Sequence, residues 1–359
     1  MVRDADIVVI GGGITGVATA RALAQAGSGV LLLEQFQLGH SRGSSHGSSR
    51  IFRLTYPDTQ YVRLAQAALE AWRQLEAESG QTLIVRNGSL DFGSLVDDDM
   101  RALASCGVRY ELLNGAEVAA RWGLAAAPEE QALFQPDGGV TLADRAHAAF
   151  VESARAAGAT VAEDAPVTGL ALDRAAVRVS TRRDEIVARA IVVTAGAWAS
   201  ALLRPLGIEL PVVPTRETVA YFDVPGAAEL PPLMDSAIPT AGDYGLARPG
   251  QISYSLAAPG IGLKAGLHHA GPVANPDDDA SPDPAIAEWV GDWVARRYPG
   301  ATPSATEPET CLYTNTADES FVLERHGRVV VGSACSGHGF KFAPVLGRTL
   351  AALAQDATG

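Results

Sequence analysis

The sequence predicts an α/β fold of two interleaved domains. One is a Rossmann-type βαβ domain, and the other is built on a mixed or antiparallel β-sheet with flanking helices. Three observations predict it. A β-branched run, a glycine loop and an alanine-rich helix follow one another near residue 10. Strand-like runs then dominate the middle of the chain. A glycine-rich turn and an apolar helix close the far end, so nucleotide-fold signals recur at the start, middle and end.

Asp6-Ile7-Val8-Val9-Ile10 suits a buried parallel strand. A helix is predicted over 17–26, stopped by Gly27, and a second buried strand over 30–33, ending on Glu34. Tyr61, Leu64, Ala65, Ala68, Leu69, Trp72 and Leu75 share one helical face, and Gly80 ends that helix. Residues 82–140 read as short strands and loops, with Asp97-Asp98-Asp99 as a solvated turn. A helix over 142–157 has Thr141 as its N-cap and Gly158 as its stop. Strands follow at 159–163, 167–172, 177–181 and 190–194. A second strand-rich stretch runs over 212–266, then a Pro/Asp-rich loop over 272–284 and a helix over 285–298. Strands at 321–323 and 328–332 precede a closing helix over 344–355, with Pro344 in its first turn. The predicted division gives 1–81, 142–214 and 318–359 to the first domain, and 82–141 and 215–317 to the second.

The chain has 359 residues, 47% of them hydrophobic and 19% charged, a globular composition. Its formal net charge of -13 argues against nucleic acid or an anionic membrane surface as a partner. No signal-peptide pattern or membrane-spanning run is evident. Three cysteines, Cys106, Cys311 and Cys335, do not make a secreted disulfide framework, so a reducing cytoplasm is expected. Of 28 basic residues only Lys264 and Lys341 are lysines, which draws attention to both.

Gly11, Gly13 and Gly16 fit G-x-G-x-x-G between a strand and a helix. In that pattern the first glycine makes the tight turn, and the second lets backbone approach a pyrophosphate. The third lets the helix pack close to the strand. The helix N-terminus faces the phosphate charge, and Glu34 stands where an acid binds ribose hydroxyls. A dinucleotide site is therefore predicted, with NAD and FAD both open at this point.

Three further segments narrow the choice. They are 43–53 (GSSHGSSRIFR), Cys311-Leu312-Tyr313-Thr314 and 332–342 (GSACSGHGFKF), joined by Gly262-Leu263-Lys264-x-Gly266-x-His268. At these residues the chain resembles the monomeric sarcosine oxidase and N-methyltryptophan oxidase family, within the glycine/D-amino-acid oxidase-like flavoproteins. The resemblance spans nearly the whole chain. It implies FAD, attached through a cysteinyl thioether at Cys311, and makes the first domain FAD-binding and the second the substrate domain. The cofactor-binding residues it implies are Gly11, Gly13, Ile14, Thr15, Gly16, Glu34, Gln35, Ser44, His46, Ser49, Arg50, Val167, Ala195, Gly196, Trp198 and Cys311, and then Gly337, His338, Gly339, Phe340 and Lys341. The closing helix would direct its N-terminus at the flavin pyrimidine.

The resemblance makes Lys264, His268 and Arg50 catalytic, with Arg50 over the flavin and Lys264 near N5 for oxygen activation. It places Arg53 and Lys341 on a substrate carboxylate and Tyr313 and Tyr254 on the substrate pocket. The implied reaction is amine oxidation at a C–N bond of a secondary amino acid or N-substituted glycine. Hydride passes to the flavin, the imine hydrolyses and O2 becomes H2O2. A dehydrogenase using another acceptor, or an oxidase of cyclic imino acids, are the alternatives. Small side chains in the run Ser253-Tyr254-Ser255-Leu256-Ala257-Ala258, where the family has an aromatic wall, predict a roomier pocket. A monomer without a metal centre is expected.

Overall fold

A computed structural model describes residues 2–173, 175–236, 251–279 and 281–358. Its framework is two eight-stranded sheets and a three-stranded sheet. In the first large sheet, Val2–Ile10 lies between Val30–Leu33 and Glu185–Val193, parallel to both. Thr160–Ala162 and Val329–Ser333 extend the parallel core, and the hairpin Val167–Leu172/Val177–Thr181 runs antiparallel at one edge. The central strands are apolar on both faces: Val8, Val9, Ile191, Val192 and Val193 are fully buried. Each such side chain contributes roughly 1.5–3 kcal/mol on burial.

The helix Ile14–Gln25 covers this sheet and packs on Ala343–Asp356 and Ala143–Ala156. The approach to the closing helix is close enough that a Cβ at Gly347 would lie 2.6 Å from the Ala18 carbonyl carbon.

The second large sheet is mostly antiparallel. Its order is Glu309–Asn315, Val213–Phe222, Gly262–Leu267, Ser253–Ala258, Leu233–Asp235, Ser89–Phe92, Gln131–Gln135 and Glu111–Asn114. One face packs Ala220, Phe222, Leu263, Ala265 and Leu267 beneath the helix Pro284–Arg297, through Trp289 and Trp293. Strand alternation aims the other set, including Val219, Tyr254, Leu256, Lys264, Cys311 and Tyr313, at a large cavity. Among the described residues no helix is long and apolar enough to cross a membrane.

Three local expectations are corrected. Asp97, Asp98 and Asp99 are not a solvated turn; they form the first turn of the helix Val96–Ser105, where acids favour the dipole, and Asp99 is buried. A second helix in the region read as strands and loops, Gly115–Trp122, is closed by an Asn114/Glu117 capping box and by Gly123 in the left-handed region. Thr141 is not an N-cap but the buried partner of Arg50 and Ile84 in the three-stranded sheet, and Leu142 occupies the cap position.

Candidate active site

A cavity of about 1470 Å³ runs from the glycine loop to the second large sheet. At its head lie Gly11, Gly13, Ile14 and Thr15, with Glu34 and Gln35 at the end of the neighbouring strand. Gly11 adopts φ +103°, and a Cβ there would lie 2.6 Å from the Thr194 carbonyl oxygen. Gly16 does not line the cavity; a Cβ would strike the Gly11 carbonyl, so its part is close packing of helix on strand. Glu34 accepts hydrogen bonds from Gly12 N at 2.6 Å and Phe36 N at 2.9 Å. Burial opposes its ionisation, yet these amides and His40 outweigh burial and hold the carboxyl below its usual value. His147 Nε2 meets the Gly12 carbonyl at 2.7 Å and steadies the loop from the helix Ala143–Ala156, a contact no motif announced.

Val167, Ala195, Gly196 and Trp198 line the wall next to this head, and Ser44, His46, Ser49 and Arg50 line the middle. Arg50 gives its guanidinium to the carbonyls of Ser44, His46 and Ser49, at 2.7–2.9 Å, and sits 5.6 Å from the Phe340 ring centroid. It therefore staples the Gly/Ser loop into shape. Ser44 Oγ donates to the Leu312 carbonyl and ties that loop to the strand carrying Cys311. His46 Nε2 and Ser49 Oγ are buried without a hydrogen-bond partner among the described residues.

An FAD fits this donor set. The long cavity starts at a helix N-terminus with an acid beside it, runs past the hydroxyls and imidazole of the Gly/Ser loop and ends among cations.

Lys264 stands on Gly262–Leu267, its ammonium 5.8 Å from the Tyr221 ring centroid. Burial, reinforced by the positive charge of Arg50, pulls its pKa down to about 8. Cys311 lines the same part of the cavity. Burial pushes its thiol up, while Arg50 and Lys264 pull in the opposite direction.

The last part of the cavity joins Arg53, Lys341, Tyr254, Tyr313 and His268. Lys341 donates to the His338 carbonyl at 2.8 Å and to the Tyr56 hydroxyl at 3.0 Å. Burial, and then Arg53, drives its pKa well below the lysine range. Arg53 lies 4.2 Å from the Tyr56 ring centroid and donates to Thr55. His268 Nδ1 faces the Tyr313 hydroxyl at 3.3 Å, and burial with the neighbouring His269 keeps its imidazole neutral. Gly337, at φ +75°, lays its backbone on both rings; a Cβ would lie 2.3 Å from Tyr313 and 2.5 Å from His268. Gly339 and Phe340 complete this turn. Tyr56 was not singled out in the sequence, and Trp72, read there only as part of a helix face, donates its Nε1 to the Lys341 carbonyl at 2.7 Å.

The roomier pocket inferred from 253–258 is not carried by those residues. Strand alternation turns Ser253 and Ser255 away from the cavity, with Ser255 bonded to Tyr298, so Tyr254 and Leu256 form the wall. Tyr254 lies across Gly266, where a Cβ would come 2.7 Å from its hydroxyl oxygen. Among the described residues, His268, His269 and Glu319 bring metal-ligand-type atoms within 4.8 Å of one another, at the edge of this pocket.

Such a cavity, with a glycine loop at one end and buried cations at the other, defines a flavin-dependent oxidoreductase. The chain belongs to the FAD dependent oxidoreductase family, whose pattern matches residues 6–353. It is 36% identical to the peroxisomal sarcosine oxidase of Homo sapiens, over 98% of this chain and 93% of that protein. It is 32% identical to a monomeric sarcosine oxidase of Bacillus sp. (strain NS-129), over 97% and 92%. The structure of NikD, described as an unusual amino acid oxidase essential for nikkomycin biosynthesis, superimposes with a TM-score of 0.86 at 29% identity, covering 98% of this chain and 94% of that one. The family and fold class read from the motifs are thereby confirmed.

Proposed function

We propose that the chain is an FAD-dependent amine oxidase that takes a secondary amino acid or an N-substituted glycine and delivers its electrons to O2. One observation carries the substrate class: at one end of the cavity Lys341 is buried beside Arg53, whose side chain is 13% exposed, and Arg53 disfavours the charge on Lys341. A carboxylate between them relieves both, and the guanidinium fork can take it bidentately. The names of the relatives, sarcosine oxidases and an amino acid oxidase, support the same class.

The other groups suit the amine. His268, held neutral, offers its second ring nitrogen to the substrate nitrogen without repelling it. Tyr254 and Tyr313 supply hydroxyls and ring faces that orient the substrate and exclude water. Bound FAD supplies the two-electron acceptor for the carbon beside nitrogen. Lys264 is the fixed cation that favours oxygen reduction to H2O2. Cys311 is the attachment point for a thioether, with Arg50 and Lys264 favouring its thiolate against burial.

The test is a peroxide-release screen over sarcosine, other N-methyl amino acids, longer N-carboxymethyl amines, proline, pipecolate and glycine. Peroxide from a carboxylated amine, lost in Arg53→Ala, supports the reading. Anaerobic flavin bleaching without aerobic peroxide assigns a different acceptor. No bleaching by any carboxylated amine overturns the substrate class.

A further inference from the structure

Behind the carboxylate end of the cavity lie two acids that belong to no motif. Asp91, on Ser89–Phe92, is 4% exposed, and Asp99, on Val96–Ser105, is 1% exposed. Neither lines the cavity. Asp91 Oδ1 is 3.8 Å from Arg53 Nη1. Its other oxygen and Asp99 Oδ1 have no hydrogen-bond partner among the described residues. Buried carboxylates are ordinarily supplied with donors. Two of them with orphaned oxygens beside one guanidinium cannot both carry full charge without a large desolvation cost.

We infer that Asp91 is the counter-ion of Arg53 in the empty site, that a substrate carboxylate displaces it from that role, and that the Asp91–Asp99 pair takes up a proton as substrate binds. The inference rests on the reading of Arg53 as a carboxylate clamp. Asp91 and Asp99 are positioning residues here, since they act on substrate only through Arg53.

Burial raises the carboxyl of Asp91 above its usual range, against the pull of Arg53. Burial also raises Asp99, and the negative charge of Asp91 raises it further. The two titrate as a unit. A third carboxylate on Arg53 adds negative charge and shares the guanidinium that, with Thr55, stabilises Asp91, so the pair must hold more protons in the complex than in the empty site. The sign follows: binding strengthens as pH falls and weakens as pH rises, across about pH 6 to about pH 8.

Other ionisable groups face this pair. Arg53 and Tyr56 come from the segment after Ser49–Phe52, and Asp98 from the first turn of the helix Val96–Ser105. Lys341 stands beyond Tyr56. On the neighbouring strand Met234 pairs with Asp91, so Asp235 faces the opposite side, toward Arg297. Among the described residues Lys341, His268 and His338 are competing proton acceptors, because burial and the neighbouring cations hold all three below their usual values and an anion beside them would favour their charged forms.

The experiment uses FAD-loaded protein and acetate as a bare carboxylate probe. Binding is read from flavin absorbance, and proton uptake from an indicator dye in weak buffer. Wild-type protein should take up a fraction of a proton, up to one, and its Kd should rise with pH by up to about tenfold per unit. Asp91→Asn should cut the uptake and flatten the slope to what Asp99 alone provides. Asp99→Asn should remove only the upper limb near pH 8, which keeps the inference testable if Asp91→Asn does not fold. A pH-independent wild-type Kd without uptake overturns it. So does a wild-type slope surviving in Asp91→Asn, which would move the proton to Lys341 or to the histidines His268 and His338. An Arg53→Ala protein that binds acetate as well as wild type instead overturns the clamp reading itself.

Discussion

The ammonium of Lys341 donates to the hydroxyl of Tyr56 at 3.0 Å, and the ring of the same tyrosine lies 4.2 Å from the Arg53 guanidinium carbon. One tyrosine thus spaces the two cations. Tyr56→Phe keeps the ring and removes the acceptor. The loss of one such hydrogen bond, about 1–2 kcal/mol, should raise KM for a carboxylated amine roughly 5- to 30-fold. A larger effect on kcat than on KM in steady-state kinetics would contradict this arrangement.

Lys264 carries its charge below about pH 8 and loses it above. If its cation promotes oxygen reduction, reoxidation of reduced enzyme should slow as pH rises through that value. Lys264→Met should be slower by roughly 10²–10³-fold and lose this pH dependence. Stopped-flow mixing of reduced protein with oxygenated buffer measures both.

Acid precipitation reports the attachment at Cys311. Wild-type protein should give a yellow pellet, and Cys311→Ser a colourless pellet with the flavin in the supernatant. A yellow pellet from the serine variant would shift the attachment to another residue, Cys335 being the other cysteine on the cavity wall.

Gly337→Ala meets both a positive φ and two aromatic neighbours, with Tyr313 only 2.3 Å from the new Cβ. It should cost about 1–3 kcal/mol, visible as a lower thermal midpoint, and should displace Tyr313 and His268 enough to weaken substrate binding. Unchanged stability and KM would show that the turn repacks freely.

Arg297 binds Asp235 at 2.7 Å and Glu130 at 2.8 Å on the face of the second sheet turned away from the cavity. Arg297→Met would leave Asp235 buried with less compensation. Denaturant unfolding should show a loss of about 3–5 kcal/mol.

The glycine loop, its flanking strands and Glu34 were legible because each carries a backbone or charge requirement that few residues satisfy. Lys264, Lys341 and Cys311 were legible through their flanking motifs and the scarcity of lysine. The helix Val96–Ser105 was not, because three consecutive aspartates suggest solvent and only tertiary packing buries the third. Asp91 and Asp99 have no local signature: their meaning depends on Arg53, to which the second sheet carries Asp91 and a separate helix carries Asp99. The facing of Ser253 and Ser255 needed the register of Ser253–Ala258, which a run of small residues does not reveal.

The close contact of Gly347 with Ala18 has a consequence for biosynthesis. The ribosome makes the glycine loop first, but the helix Ala343–Asp356 that seats its helix emerges more than three hundred residues later. Until then the helix that follows the glycine loop lacks a surface it packs on, so a nascent chain should hold FAD poorly before that segment has emerged.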